Sequence, residues 1–154
     1  MSPEEGPRME AYALDVHAIL QRSVASLYSH LVTRPTGRAV REAIESQLGE
    51  LSRPALSLVD LSSVSVLDYS CADEVVAKLL LQESKSEGGV FIMLMGVRAH
   101  HRDPIDAVLE RHRLSVVAET AEGGGFDLIG AVSEGDRALW RRIEARRRVP
   151  ASEV

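Results

Sequence analysis

The amino-acid sequence predicts an α/β fold, a β-sheet layered with helices and containing parallel strand pairs. Three observations carry this reading. Short apolar, β-branched runs at 56–59 and 90–95 have the length and composition of strands covered on both faces. Between them lie segments whose apolar residues recur at helical spacing, such as Val40, Ala43, Ile44, Leu48 and Leu51. The two kinds of segment alternate along the chain, separated by Pro and Gly marks, and that alternation implies parallel pairing.

The elements follow in order. Residues 1–27 are read as a lead or extension. The first nine are polar and contain proline, and 11–27 carry Leu14, Ala18, Leu20, Val24 and Leu27 in a loose helical pattern that equally accommodates a strand. A short strand is expected over 28–33, and Arg34-Pro35-Thr36-Gly37 interrupts it. A helix over 37–51 follows, with Thr36 capping its start and Ser52-Arg53-Pro54 closing it. The next strand ends in Val59-Asp60-Leu61, and a link leads to a second short extended piece ending at Leu67. A tight turn then opens a helix over 71–86, with Ala72, Val75, Val76, Leu79 and Leu80 on one stripe and Gly88-Gly89 as its stop.

After the strand at 90–95, Asp103-Pro104 is expected to start a helix, with proline in the tolerated first position. Its stripe is Ile105, Val108 and Leu109. A short strand over 114–118, a glycine loop at 123–125 and a strand over 126–132 come next. Ser133 and Asp136 have capping-box spacing, and Leu139, Trp140 and Ile143 form the packing face of the last helix. The domain is thus expected over 28–148, with a frayed tail at 149–154.

Composition narrows the function. A chain of 154 residues suits one domain with a single core. The net charge of -5 argues against general nucleic-acid binding, and 4% aromatics leave little for base stacking. No apolar run is long enough to span a membrane, and the first residues lack the basic start and apolar core of a secretory signal. A single cysteine excludes an internal disulfide and a multi-cysteine zinc site. A bacterial-style cytoplasmic protein is the expectation.

The chemistry concentrates where a strand's carboxyl end meets a helix start, at Asp68-Tyr69-Ser70-Cys71. Ser70 reads as a helix N-cap, with Asp73 three residues on. Ser70 and Tyr69 are the candidate phosphoacceptors, since a phosphate at a helix start changes local charge and sits on the favourable end of the dipole. Tyr69 also reads as an exposed aromatic contact. Cys71 reads as a small residue filling close helix–sheet packing, with a redox-sensing thiol as the alternative. His100 and His101 read as a solvated loop lacking a third metal ligand. The arginines crowding the last helix read as a solvated face. No nucleophile motif, paired carboxylates or metal constellation suggests an enzyme, and no cofactor is implied.

The stretch Asp60-Leu61-Ser62-Ser63-Val64-Ser65-Val66-Leu67-Asp68-Tyr69-Ser70-Cys71 resembles the pattern D-L-x-x-V-x-x-x-D-S-S-G of the STAS domain family, the fold of bacterial anti-sigma factor antagonists. The resemblance runs over about 31–146. It implies a mixed sheet with helices packed mainly on one face. It also implies a non-enzymatic partner-switching role, with an anti-sigma factor or kinase-like ATPase as partner. In that family the first Ser after the motif Asp is phosphorylated. Here Tyr69 stands at that place, Ser70 matches the second Ser, and Cys71 stands for the Gly. The partner-binding edge is expected to comprise Thr33, Arg34, Thr36, Asp68, Tyr69, Ser70, Cys71, Asp73, Arg98 and His100. A constitutive scaffold that assembles with copies of itself is the alternative.

Overall fold

The computed structural model describes residues 10–15, 30–85, 89–120 and 125–146. Its main sheet has five strands in the order β1 (Glu10–Asp15), β3 (Ala55–Asp60), β5 (Val90–Val97), β6 (Ser115–Thr120) and β7 (Phe126–Gly130). β1, β3, β5 and β6 run parallel, and β7 closes the far edge antiparallel to β6. The fold is therefore α/β with a mixed sheet, as the sequence predicts. β2 (His30–Leu31) and β4 (Val66–Leu67) form a separate two-stranded parallel ladder. β1 lies within the stretch read as a lead and pairs with β3 along its length, so the sheet begins well before residue 28. The readings for residues 1–9, 16–29, Gly88, Gly123, Gly124 and the tail lie outside the described residues.

Three helical rods pack on one face of the sheet. α1 (Arg34–Gly49) buries Gly37, Val40, Ile44 and Leu48 at the predicted spacing. The central rod starts as α2 (Tyr69–Ala72), widens into a π-helical segment (Asp73–Lys78) and ends as α3 (Leu79–Lys85). α4 (Ala99–Arg111) buries Ile105, Val108 and Leu109. These helices share one core with Val59, Leu94, Val116, Ala118 and Ile129, the inward-facing side of β3, β5, β6 and β7. α5 (Glu134–Arg146) sits on the other face. There Leu139, Trp140 and Ile143 line a cavity of about 250 Å3 with Val117 and Leu128, whose strand neighbours face the core. The predicted capping box of α5 is present, with the Asp136 amide donating to Ser133 Oγ at 3.0 Å and the Ser133 amide donating to Asp136 Oδ2 at 3.1 Å.

Helix starts differ most from expectation. α1 begins at Arg34, with Pro35 in its first turn, so Thr36 lies inside the helix and is not its cap. The proline fits there because first-turn amides have no intrahelical partner. α4 begins at Ala99, four residues ahead of Asp103, and Pro104 is buried inside it. Close approach of α1 to the central rod depends on Gly37. A Cβ there would lie 2.9 Å from Cys71 Cα and 3.2 Å from Glu74 Cβ. Cys71 thus packs a helix–helix contact, where the sequence reading places it between helix and sheet.

Candidate functional site

Asp68 is the hub at the end of the β2/β4 ladder. It is extended and caps α2, with Oδ1 accepting the Cys71 amide at 2.8 Å. The same oxygen accepts the Ser70 hydroxyl at 2.8 Å. Oδ2 reaches back 35 positions to accept the Thr33 amide at 3.1 Å. The cap expected of Ser70 therefore belongs to Asp68, and Ser70 is its donor. Burial works to raise the Asp68 pKa. The Cys71 amide, Ser70 hydroxyl and Thr33 amide outweigh that effect and hold it below the ordinary value.

This carboxylate ties the start of the central rod to the start of α1. Thr33 has φ 73, a conformation a β-branched residue rarely adopts. It is held there by Asp68 and by its own carbonyl, which accepts the Gly37 amide at 3.2 Å and the Cys71 thiol at 2.9 Å. Thr36 lies beside it, half-buried, with its Oγ1 3.1 Å from Thr33 Oγ1. Thr33→Gly is expected to raise stability by about 1 kcal/mol, because strain of roughly 1–3 kcal/mol is relieved against the smaller entropic penalty of glycine. A urea-denaturation midpoint that falls in this variant would show that the conformation is unstrained.

Asp73, predicted on the docking edge, is buried, and so is Glu74. Both turn inward along the π-helical segment. Asp73 Oδ2 pairs with Arg34 Nη1 at 2.7 Å, and His112 Nε2 donates to its Oδ1 at 2.7 Å. Glu74 holds Arg34 at 2.9 Å, Arg41 at 3.0 Å and Lys78 at 2.7 Å. Arg41 also pairs with Glu45. Desolvation opposes ionisation of both acids. Hydrogen bonds from Arg34 and His112 on Asp73, and from Lys78, Arg34 and Arg41 on Glu74, reverse it and lower both pKa values. These pairs bind α1 and the end of α4 to the central rod, leaving Asp73 unable to meet a partner.

Cys71 is likewise fully buried. Burial and the nearby Asp68 charge push its thiol up to about 12, so a reactive thiolate is disfavoured.

The third junction is built by His101, which the sequence reads as solvated and the structure buries completely. Its Nδ1 accepts the Arg98 amide at 3.2 Å, which leaves the proton on Nε2 to donate to the Val64 carbonyl at 2.8 Å. One imidazole thereby starts α4 and anchors the link between β3 and β4. Burial chiefly, with His100 and Arg98, lowers its pKa despite the Val64 bond. A depressed folded pKa means the unfolded chain takes up the proton first. The His101 contribution is therefore complete above its unfolded value of 6.5 and is lost as pH falls below it. Stability is expected to drop as pH falls below about 6.5, and His101→Phe to remove that slope in urea titrations.

The structure thus brings Thr33, Arg34, Asp68, Tyr69, Ser70, Arg98 and His100 to one end. Leu31 and Leu67 of the small ladder point into the core, and the alternation sends Val32 and Val66 outward. Tyr69, 57% exposed, follows two residues after Leu67. Glu74, Arg41, His101 and His112 were not legible as site residues, although each is a polar residue inside or beside an apolar stripe. Among the described residues no group of three or more metal-ligating side chains converges, and no helix is long and apolar enough to cross a membrane. No family model, curated protein or solved structure matches this chain, so the site rests on its own geometry.

Proposed function

We propose that this protein is a non-enzymatic regulatory module that docks another protein through the edge formed by Thr33 and Arg34, Asp68 to Ser70, and Arg98 to His100. One observation carries the reading. Among the described residues five large apolar side chains are exposed, and three of them, Val32, Val66 and Tyr69, belong to the small ladder and the chain just beyond its strands. Clustered apolar exposure beside a rigidly capped turn is what a docking surface requires. The STAS-like sequence pattern supports the same edge. It names an anti-sigma factor or kinase-like ATPase in the cytoplasm as the partner class.

A constitutive form of docking is favoured over a Ser70 phosphoswitch. The Ser70 hydroxyl is committed to Asp68 Oδ1, and a phosphate on it would stand against that carboxylate. Tyr69 carries the more accessible hydroxyl side chain. A pull-down from the source cells with the tagged protein, run beside a Tyr69→Ser, Val66→Ser double variant, tests the docking edge. A specific partner retained by the wild type and reduced at least about tenfold by the variant at unchanged Tm is the expected result. No specific partner, or equal retention by the variant, overturns it. Mass spectrometry of the protein incubated with that partner and ATP reports whether Ser70 or Tyr69 takes a phosphate.

A further inference from the structure

We infer that the cavity between α5 and the outer face of β6 and β7 binds a small amphiphilic amine that also carries a hydroxyl or carbonyl oxygen. This site lies on the face of the sheet away from the core helices and uses none of the residues of the docking edge.

The walls are apolar. Val117 and Leu128 are direct partners across the β6/β7 ladder, and they point outward because Val116, Ala118 and Ile129 beside them face the core. Above them α5 presents Asp136, Leu139, Trp140 and Ile143, the i, i+3, i+4 and i+7 positions of one helical face. That face does not close on the sheet. No residue of α5 is buried, and about 250 Å3 stays open beneath it. Protein interiors leave few gaps larger than a water molecule, so this space exceeds an ordinary packing defect. It is somewhat smaller than the pockets that enclose drug-sized ligands and suits a molecule of about ten non-hydrogen atoms.

Two polar groups in the lining select the chemistry. Asp136 is the only charged residue that lines the cavity. Its Oδ2 accepts the Ser133 amide, a neutral donor, so the carboxylate keeps its charge. The Ser133 amide and hydroxyl hold its pKa below the ordinary value. The neighbouring Arg137 is directed to Asp127, 3.9 Å away, and no described cation pairs with Asp136. A carboxylate in that state at the end of an apolar cavity favours an ammonium group. The second group is the Trp140 indole, whose Nε1 is buried and donates to no protein atom. A buried donor gains from an acceptor, which an oxygen on the ligand supplies and a bare amine does not. Asp136 and Trp140 stand one helical turn apart, within reach of one small molecule.

Trp140 is the only tryptophan of the chain, so its indole N–H gives a single side-chain signal in the full-length 15N-labelled protein. Tyramine is the probe. Tyrosol replaces its ammonium with a neutral hydroxyl, para-hydroxyphenylpropanoate replaces it with a carboxylate, and phenethylamine lacks the phenol oxygen. Tyramine is expected to move the indole signal and the amides of Val117 and Leu128 saturably, with a Kd of about 1 mM or below. Tyrosol should bind at least about tenfold more weakly, phenethylamine about fivefold more weakly, and the propanoate not at all. Asp136→Asn should weaken tyramine at least about tenfold at unchanged Tm and leave tyrosol unaffected. Equal binding of tyramine and tyrosol, or full tyramine binding by Asp136→Asn, overturns the amine. Equal binding of tyramine and phenethylamine, with the indole signal unmoved, overturns the oxygen acceptor. Shifts that fail to saturate, that lie elsewhere on the surface, or that are absent overturn the site, and none of these results bears on the docking edge.

Discussion

Asp68→Ala is expected to lower the unfolding free energy by about 3 kcal/mol. The substitution removes the helix cap, for which about 1 kcal/mol is typical. It also strips the Thr33 amide of its acceptor, and hydrogen bonds to a charged group contribute roughly 1.5–3 kcal/mol each. The sum is discounted because Asp68 is only partly buried. Asp68→Asn retains acceptor capacity and should cost about 1 kcal/mol, because a neutral amide caps nearly as well. Urea denaturation of both variants is the measurement. Equal midpoints for alanine and asparagine would show that the neutral acceptor contributes nothing to the cap.

Glu74→Ala is expected to cost more, about 4 kcal/mol, because a buried partner of three cations is lost and a void is left. Arg34 and Lys78, with side chains 39% and 37% exposed, recover water, whereas Arg41, at 18%, recovers less. Glu74→Gln keeps the volume and an acceptor and should cost about half as much. The pH dependence has a definite sign. Glu74 and Asp73 have folded pKa values below the ordinary 4.5 and 3.8. Their contribution is therefore complete above those unfolded values and is lost as pH falls through the lower folded ones. Glu74→Gln should start from lower stability at neutral pH and lose less of it below about pH 4.5 than the wild type does, so that the two converge in acid. Equal pH slopes for the two proteins would show that the pairs do not set acid stability.

The layer architecture was legible because periodicity reports burial directly. The stripes Val40–Ile44–Leu48 and Ile105–Val108–Leu109 point to the core as predicted, and the capping box at Ser133 and Asp136 forms as written. What failed was local punctuation read without its long-range partners. Ser70 followed by Asp73 has the spacing of a capping box, yet Asp68 caps equally well, and Asp73 is drawn inward by Arg34 and His112. Asp103-Pro104 reads as a helix start until the His101 ring claims the Arg98 amide one turn earlier. Nothing in a β-branched residue announces the φ of Thr33, which follows from a carboxylate 35 positions away. Of the residues expected on the docking edge, Thr33, Tyr69, Arg98 and His100 lie at the surface, and Cys71 and Asp73 are buried beneath it as a fastening.

The central rod holds a run of seven successive buried residues, Cys71 to Ala77, because α1 flanks it on one side, α4 on the other and the sheet lies below. A segment with no wet face has no local route by which its amide protons can meet deuterated water. Their exchange should then wait for the whole domain to open, on the slowest timescale in the molecule, while the exposed turns of α5 exchange far sooner. The proposed docking edge is thus mounted on the part of the chain that opens last, and a partner leaving it would find the same surface on its return.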